Sequence, residues 1–174
     1  FEQGHLWQLV TYTFLHDDFL HIFMNMLLLF IFGRELELVL GTERFLWLYI
    51  GCGVLAGMGW IIISGIGDPT PCIGASGAAF GVAAAFAALN PHRELTLIIF
   101  PIPVPVTMKA LTMVLIFGAV AMIGLLLDEG NIAHAAHLAG GLAGYVYGHR
   151  ASHPTGRAAR RKTPPPRTQA AWPE

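Results

Sequence analysis

Charge is what this chain has least of. Only 12% of its residues are Asp, Glu, Lys or Arg, against roughly 25% in ordinary soluble domains. With 55% of residues hydrophobic, that scarcity excludes a soluble domain and points to a membrane protein. The formal net charge is −1 and no basic patch lies outside the tail, so nothing calls for a nucleic-acid partner. Cysteine is nearly absent. Cys52 and Cys72 form no CxxC pair, which excludes a disulfide framework and a cysteine-rich zinc site, and both read as bystanders. Serine is scarce too, with Ser64, Ser76 and Ser152 the whole complement. A cleavable leader pattern is missing. The chain opens on Phe1 rather than methionine, which gives the expectation of a fragment or a processed product.

What the chain does have is long apolar runs. Five segments, near 20–40, 45–65, 75–90, 106–127 and 132–149, approach the roughly 20 residues needed to cross a bilayer. Breakers separate them: Gly41 to Arg44, Gly65 to Pro71, Asn90 to Arg93, and Asp128 to Asn131. Pro101, Pro103 and Pro105 cannot sit inside a helix and lead into the fourth segment. The expected fold is therefore an all-α polytopic bundle of transmembrane helices, with the lipid bilayer as its solvent. Three regions follow: a mixed aromatic and polar stretch over 1–19, in which Trp7 and Tyr12 suit a membrane interface, the membrane domain over 20–149, and a basic, Pro-rich tail over 150–174 that reads as disordered.

Lys and Arg fall on one side only. Arg34, Arg44, Arg93, Lys109 and the tail from Arg150 share it, whereas residues 1–20, the Asp68 loop and the Asp128–Glu129 loop carry acids or neutral residues. The positive-inside rule then places the tail in the cytoplasm and Phe1 outside. A multi-pass protein of the plasma membrane is the resulting expectation. The acids in those loops read as plain loop charges.

That topology sets Ser76, in "GASGAAFG", at the outer end of an unusually short third segment. About 16 residues at roughly 1.5 Å each reach only about 24 Å of a core near 30 Å thick, so the preceding loop should dip into the bilayer. A helix start leaves free N–H groups and a partial positive charge, a setting suited to an oxyanion. His21, His134 and His137 occupy comparable depths, and an ionisable group there is a functional candidate. Gly140 and Gly144 follow His137 by three and seven residues on one helical face, while Gly77 and Gly81 flank Ser76. Two such faces allow close backbone approach and would carry His137 to the serine. His134 points about 300° around the helix from His137 and lacks that glycine face. His21 and Asn25, four apart, share a face of the first segment and offer an imidazole and an amide donor.

Other chemistries fit less well. His134 and His137 make an HxxH, but neither HExxH nor a nearby carboxylate completes a metalloprotease set, and no metal or organic cofactor is implied. "GASGA" misses the GxSxG elbow at its last residue. A small transporter would show repeated halves or matched broken helices, and no such symmetry is present.

Taken in order and spacing, "HIFMN", "GRELE", "GASG" followed by "FG", and "AHLAGGLAG" resemble the motifs of the rhomboid intramembrane serine proteases, over most of residues 5–149. The resemblance implies a dyad without a third acid, with Ser76 as nucleophile and His137 as general base. It implies an oxyanion hole from His21, Asn25 and the Ser76 backbone N–H. Gly74 corresponds to the glycine before the nucleophile, and Glu37 to a carboxylate bracing the loop before the first segment. Where many bacterial members carry a tyrosine four residues past the nucleophile, stacked on the histidine, this chain has Phe80. The family plan has six spans, so one more helix before residue 1 is expected. The implied substrates are transmembrane or membrane-anchored proteins, cut near the outer face. The alternative is an inactive relative that binds transmembrane clients without cutting them.

Overall fold

The computed structural model describes residues 5–65, 71–99, 104–127 and 132–153, and these are mostly helical. Asp68, Asp128, Glu129 and the tail beyond residue 153 lie outside the described residues. The chain enters through a short helix α1 (Gln8–Thr11) and a 3-10 turn over Tyr12–Phe14. Helix α2 (Phe19–Leu28) starts after Asp18, whose backbone is extended and whose carboxylate accepts the His21 N–H at 2.8 Å, an ordinary N-cap. It runs through a π turn, Leu29–Gly33, into α3 (Arg34–Leu40), so residues 19–40 form one continuous helical rod. Gly41, at φ +81°, turns the chain into α4 (Thr42–Ser64).

Helix α4, with 23 residues and a mean hydropathy of 2.0, is long and apolar enough to cross a membrane by itself. Two shorter apolar helices follow, α5 (Ser76–Leu89) and α6 (Ala110–Leu126). The last, α7 (Ile132–Ser152), is 21 residues long and is diluted by His134, His137 and four glycines. At roughly 1.5 Å per residue the 14 residues of α5 measure about 21 Å.

The all-α expectation needs one correction. Strands β1 (Glu94–Ile99) and β2 (Val104–Lys109) form an antiparallel hairpin between α5 and α6, with Glu94 opposite Lys109 and Leu97 opposite Val106. The fourth apolar segment, expected from 106, therefore becomes helical only at Ala110. A period of two explains it. Leu95, Leu97 and Met108 pack onto the end of the helical core, while Thr96 and Thr107 face outward and share a hydrogen bond of 2.8 Å. Pro105 lacks an N–H, which a strand with an open edge tolerates.

Helix α5 is the centre of the bundle. Ala78, Ala79, Ala83, Ala85 and Ala87 are wholly buried, and α5 packs most extensively against α7 and then against α4. Large apolar side chains lie outside: Phe19, Leu38, Ile62 and Leu126 are each at least 75% exposed. Small residues within and large ones without is the distribution of a bundle whose surroundings are lipid, where helices associate by close packing rather than by hiding apolar surface.

Candidate active site

Ser76 is the first residue of α5, so its N–H is among the donors for which a helix supplies no internal acceptor. The chain reaches it through residues 71–75, whose backbone is irregular and passes from exposed Pro71 through half-buried Cys72 and Ile73 to buried Gly74 and Ala75. Half-buried Cys72 packs against Ala56, Trp60 and Ala136. Burial pushes its thiol up to about 11, which leaves it protonated and unreactive at neutral pH. From α7, 61 residues later in the chain, His137 Nε2 lies 2.7 Å from Ser76 Oγ. With the ring proton on Nδ1, Nε2 accepts the hydroxyl proton. That is the arrangement a serine nucleophile and its base require.

The approach of the two helices rests on glycine. A Cβ at Gly140 would strike the Gly77 carbonyl oxygen, one at Gly144 that of Gly81, and one at Gly148 that of Ala85. Three successive turns of α7 thus lie backbone to backbone on α5. Helix α4 closes on the same seam: a Cβ at Gly77 would fall 2.5 Å from the Ala56 methyl as well as 3.2 Å from the Ala136 carbonyl oxygen, and one at Gly81 would fall 2.6 Å from Cys52 Cβ and 2.7 Å from the Gly140 carbonyl oxygen. Gly141 gives way to the Phe80 ring, whose atom Cε1 would sit 2.7 Å from a Cβ there. Phe80 meets His137 edge-on rather than stacked, with ring centroids 6.4 Å apart at 71°.

His21 and Asn25 converge on the residue just before Ala75. Gly74 adopts φ +105°, and a Cβ there would lie 2.5 Å from His21 Nε2 and 3.6 Å from Asn25 Nδ2. Only glycine tolerates both the dihedral and the crowding. Asn25 is 5% exposed and its Nδ2 has no hydrogen-bond partner among the described residues. A buried amide donor left open beside Gly74, two residues before Ser76, is a group waiting for an acceptor, because leaving it unpaired costs free energy.

His134 stands edge-on to His137, with centroids 6.4 Å apart, but its Nε2 faces Gly124 of α6. Together with Ser76, Phe80, His137, Leu28 and Phe117 it lines an apolar cavity of about 340 Å³. Among the described residues no three His, Cys, Asp or Glu side chains gather as a metal site would require. Glu37 is not where the resemblance puts it. It lies in α3, sixteen residues past His21 on the same rod, and its Oε1 accepts the Thr42 hydroxyl at 2.8 Å across the Gly41 turn. A continuous helix carries it to the opposite end of the bundle, away from the loop before α2.

Two residues near the site escaped the sequence reading. Tyr12, expected at an interface, is 5% exposed. His16 meets His21 edge-on, with centroids 4.9 Å apart, and neither of its buried ring nitrogens has a hydrogen-bond partner among the described residues. "TYTFLHDDFLH" gives no periodic pattern that would separate a buried ring from an interfacial one.

The Rhomboid domain family model matches residues 3–153. Rhomboid protein 1, mitochondrial, of Saccharomyces cerevisiae is 36% identical over 139 residues, 78% of this chain and 39% of that protein. Presenilin-associated rhomboid-like protein A, mitochondrial, of Danio rerio is 32% identical over 145 residues, 81% of this chain and 37% of its own length. A bacterial protein, Putative rhomboid protease YdcA of Bacillus subtilis, is 37% identical over 81 residues, 45% of this chain and 39% of that protein. The chain spans about two fifths of the length of these curated relatives. The expected plasma-membrane location does not stand. Relatives matched over about four fifths of the chain are mitochondrial by name, and charge asymmetry orients a chain across a bilayer without identifying the bilayer. With the family model covering all but the first two residues and the tail, and with Ser76 and His137 in hydrogen-bond contact within the matched region, the chain belongs to the rhomboid family, in general a family of intramembrane serine proteases.

Proposed function

We propose that this chain is an intramembrane serine endopeptidase that cleaves transmembrane or membrane-anchored proteins with a Ser76–His137 dyad. The observation that carries the reading is the 2.7 Å contact between Ser76 Oγ and His137 Nε2. In the reaction, Nε2 takes the hydroxyl proton as Oγ attacks the scissile carbonyl carbon. The oxygen of the resulting tetrahedral centre gathers negative charge, which the Ser76 N–H, Asn25 Nδ2 and the His21 ring stabilise. The protonated His137 then gives its proton to the leaving amine, and water, deprotonated by the same ring, hydrolyses the acyl-enzyme. The cavity beside Ser76 receives an apolar substrate side chain.

Five membrane-crossing segments, built on 19–40, α4, α5, α6 and α7, make residues 20–149 the catalytic membrane domain, with 1–19 at the interface and 150–174 as a tail. Helix α5 is too short for a full bilayer, so Ser76 lies below the membrane surface, reached by residues 71–75 within a protein shell, the one place where irregular backbone is tolerated at depth.

An inactive client-binding relative is the competing reading. The intact dyad and the open Asn25 donor favour the enzyme, since catalytic constellations are recognised by geometry and roles. A fluorophosphonate probe applied to detergent-solubilised protein, followed by a panel of transmembrane substrates, separates the two. The expected result is labelling and cleavage in the unsubstituted protein and neither in Ser76→Ala. Binding without cleavage or labelling would establish the inactive relative.

A further inference from the structure

We infer that Tyr12 is a positioning residue for the oxyanion donors, locking the backbone before Ser76 onto α4. The inference rests on the reading of Ser76 as nucleophile. Tyr12 ties three elements together. Its hydroxyl donates to the Gly53 carbonyl of α4 at 2.7 Å, and its own carbonyl accepts the Gly74 N–H at 3.1 Å. Its ring lies on Gly57, where a Cβ would fall 3.1 Å from Tyr12 Cε1. The neighbouring Thr13 methyl lies the same way on Gly53, 3.2 Å from a Cβ there. Gly53 and Gly57 thus form a slot one turn long on α4 that accepts residues 12 and 13 and nothing bulkier. Burial drives the Tyr12 hydroxyl well above its ordinary range, so it stays a donor at every working pH.

The anchored residue, Gly74, stands two positions before Ser76. It is the point on which His21 Nε2 and Asn25 Nδ2 converge. A hydrogen bond that fixes the Gly74 N–H also fixes the peptide planes leading to the Ser76 N–H, and hence the gap an oxyanion would enter. Tyr12 touches neither substrate nor dyad. Its effect should therefore fall on transition-state stabilisation, which reads as a loss in kcat with KM held.

The test is Tyr12→Phe, which keeps the ring and removes the donor, measured in the full chain in detergent micelles. The readout is kcat and KM for a cleaved transmembrane substrate, normalised to the fraction of Ser76 that a fluorophosphonate labels at saturation, so that unfolded protein drops out. The expected result is kcat lower by roughly three- to tenfold, the scale of one neutral hydrogen bond, with KM unchanged. Gly57→Ala, which shifts the ring without touching its hydroxyl, should lower kcat similarly. The double variant should be no worse than the poorer single one, because both act through the same contact. An unchanged kcat per labelled site in Tyr12→Phe would overturn the inference, as would losses that multiply. Failure of the underlying reading would show separately, as a wild-type protein that cleaves but loses nothing in Ser76→Ala, and it would remove both.

Discussion

Gly140 and Gly77 lie with their backbones in contact: a single methyl group on Gly140 would occupy the space of the Gly77 carbonyl oxygen. One residue before Gly77 stands Ser76, and three before Gly140 stands His137, so this contact sets the distance across the dyad. Nothing larger than hydrogen at these sites keeps 2.7 Å between Oγ and Nε2.

Gly140→Leu should therefore part the two helices and abolish cleavage, while circular dichroism shows the helices retained. Gly148, nearer the far end of α7, is packed as closely, since a Cβ there meets the Ala85 carbonyl oxygen and would lie 2.9 Å from the Ala88 methyl. Gly148→Leu should also cost activity, with thermal stability falling alongside it. A Gly140→Leu protein that labels with fluorophosphonate at the normal rate would contradict the packing argument.

Removing one oxyanion donor typically costs about 10²–10³ in rate. Asn25→Ala and His21→Ala should each slow turnover by that order without stopping it. Gly74→Ala should be worse than either, because it adds backbone strain at φ +105° to a clash 2.5 Å from His21 Nε2. Comparing kcat among folded variants checks the ranking. If Gly74→Ala proves milder than Asn25→Ala, the loop does not hold the hole in shape.

The glycine spacing made the partner of Ser76 readable from sequence: His137 continues downward into Gly140 and Gly144, whereas His134 lacks that face, and in the structure it lines the same cavity with its Nε2 against Gly124. The hairpin was not readable. Pro101, Pro103 and Pro105 are strong enough breakers to hide the alternation of Leu95, Leu97, Val106 and Met108 beside them, and a sheet register depends on a partner strand that no local window contains. Tyr12 was misplaced for a related reason, as its burial depends on a glycine slot some forty residues away. Glu37 was assigned a distant loop, and its contact is instead local, with Thr42. Because that pair is exposed and about 24 Å along the rod from His21, at roughly 1.5 Å per residue, Glu37→Gln should leave kcat within about twofold of wild type and shift stability by less than about 1 kcal/mol. A large loss of activity in this variant would show that Glu37 acts on the site after all.

The path of the chain through the membrane gives the last prediction. If residues 19–40, α4 and α5 each cross, Thr11 and Thr96 lie on opposite faces, and α6 with α7 then returns the chain so that Ser152 shares a face with Thr96. Thr11 and Thr96 are exposed, and so is Ser152 at the end of α7. Single cysteines at these three positions, in a protein whose Cys52 and Cys72 have been replaced, can be probed with a membrane-impermeant thiol reagent in sealed vesicles of uniform orientation. Thr11→Cys should label from one side, and Thr96→Cys and Ser152→Cys only from the other. The hairpin makes this a demanding test, since it hangs at the end of α5 opposite Ser76, and its apolar strands could otherwise be taken for part of a crossing segment. Labelling of Thr11→Cys and Thr96→Cys from the same side would remove one crossing from 19–40, α4 or α5, and with it the placement of Ser76 beneath the surface on the Thr11 side.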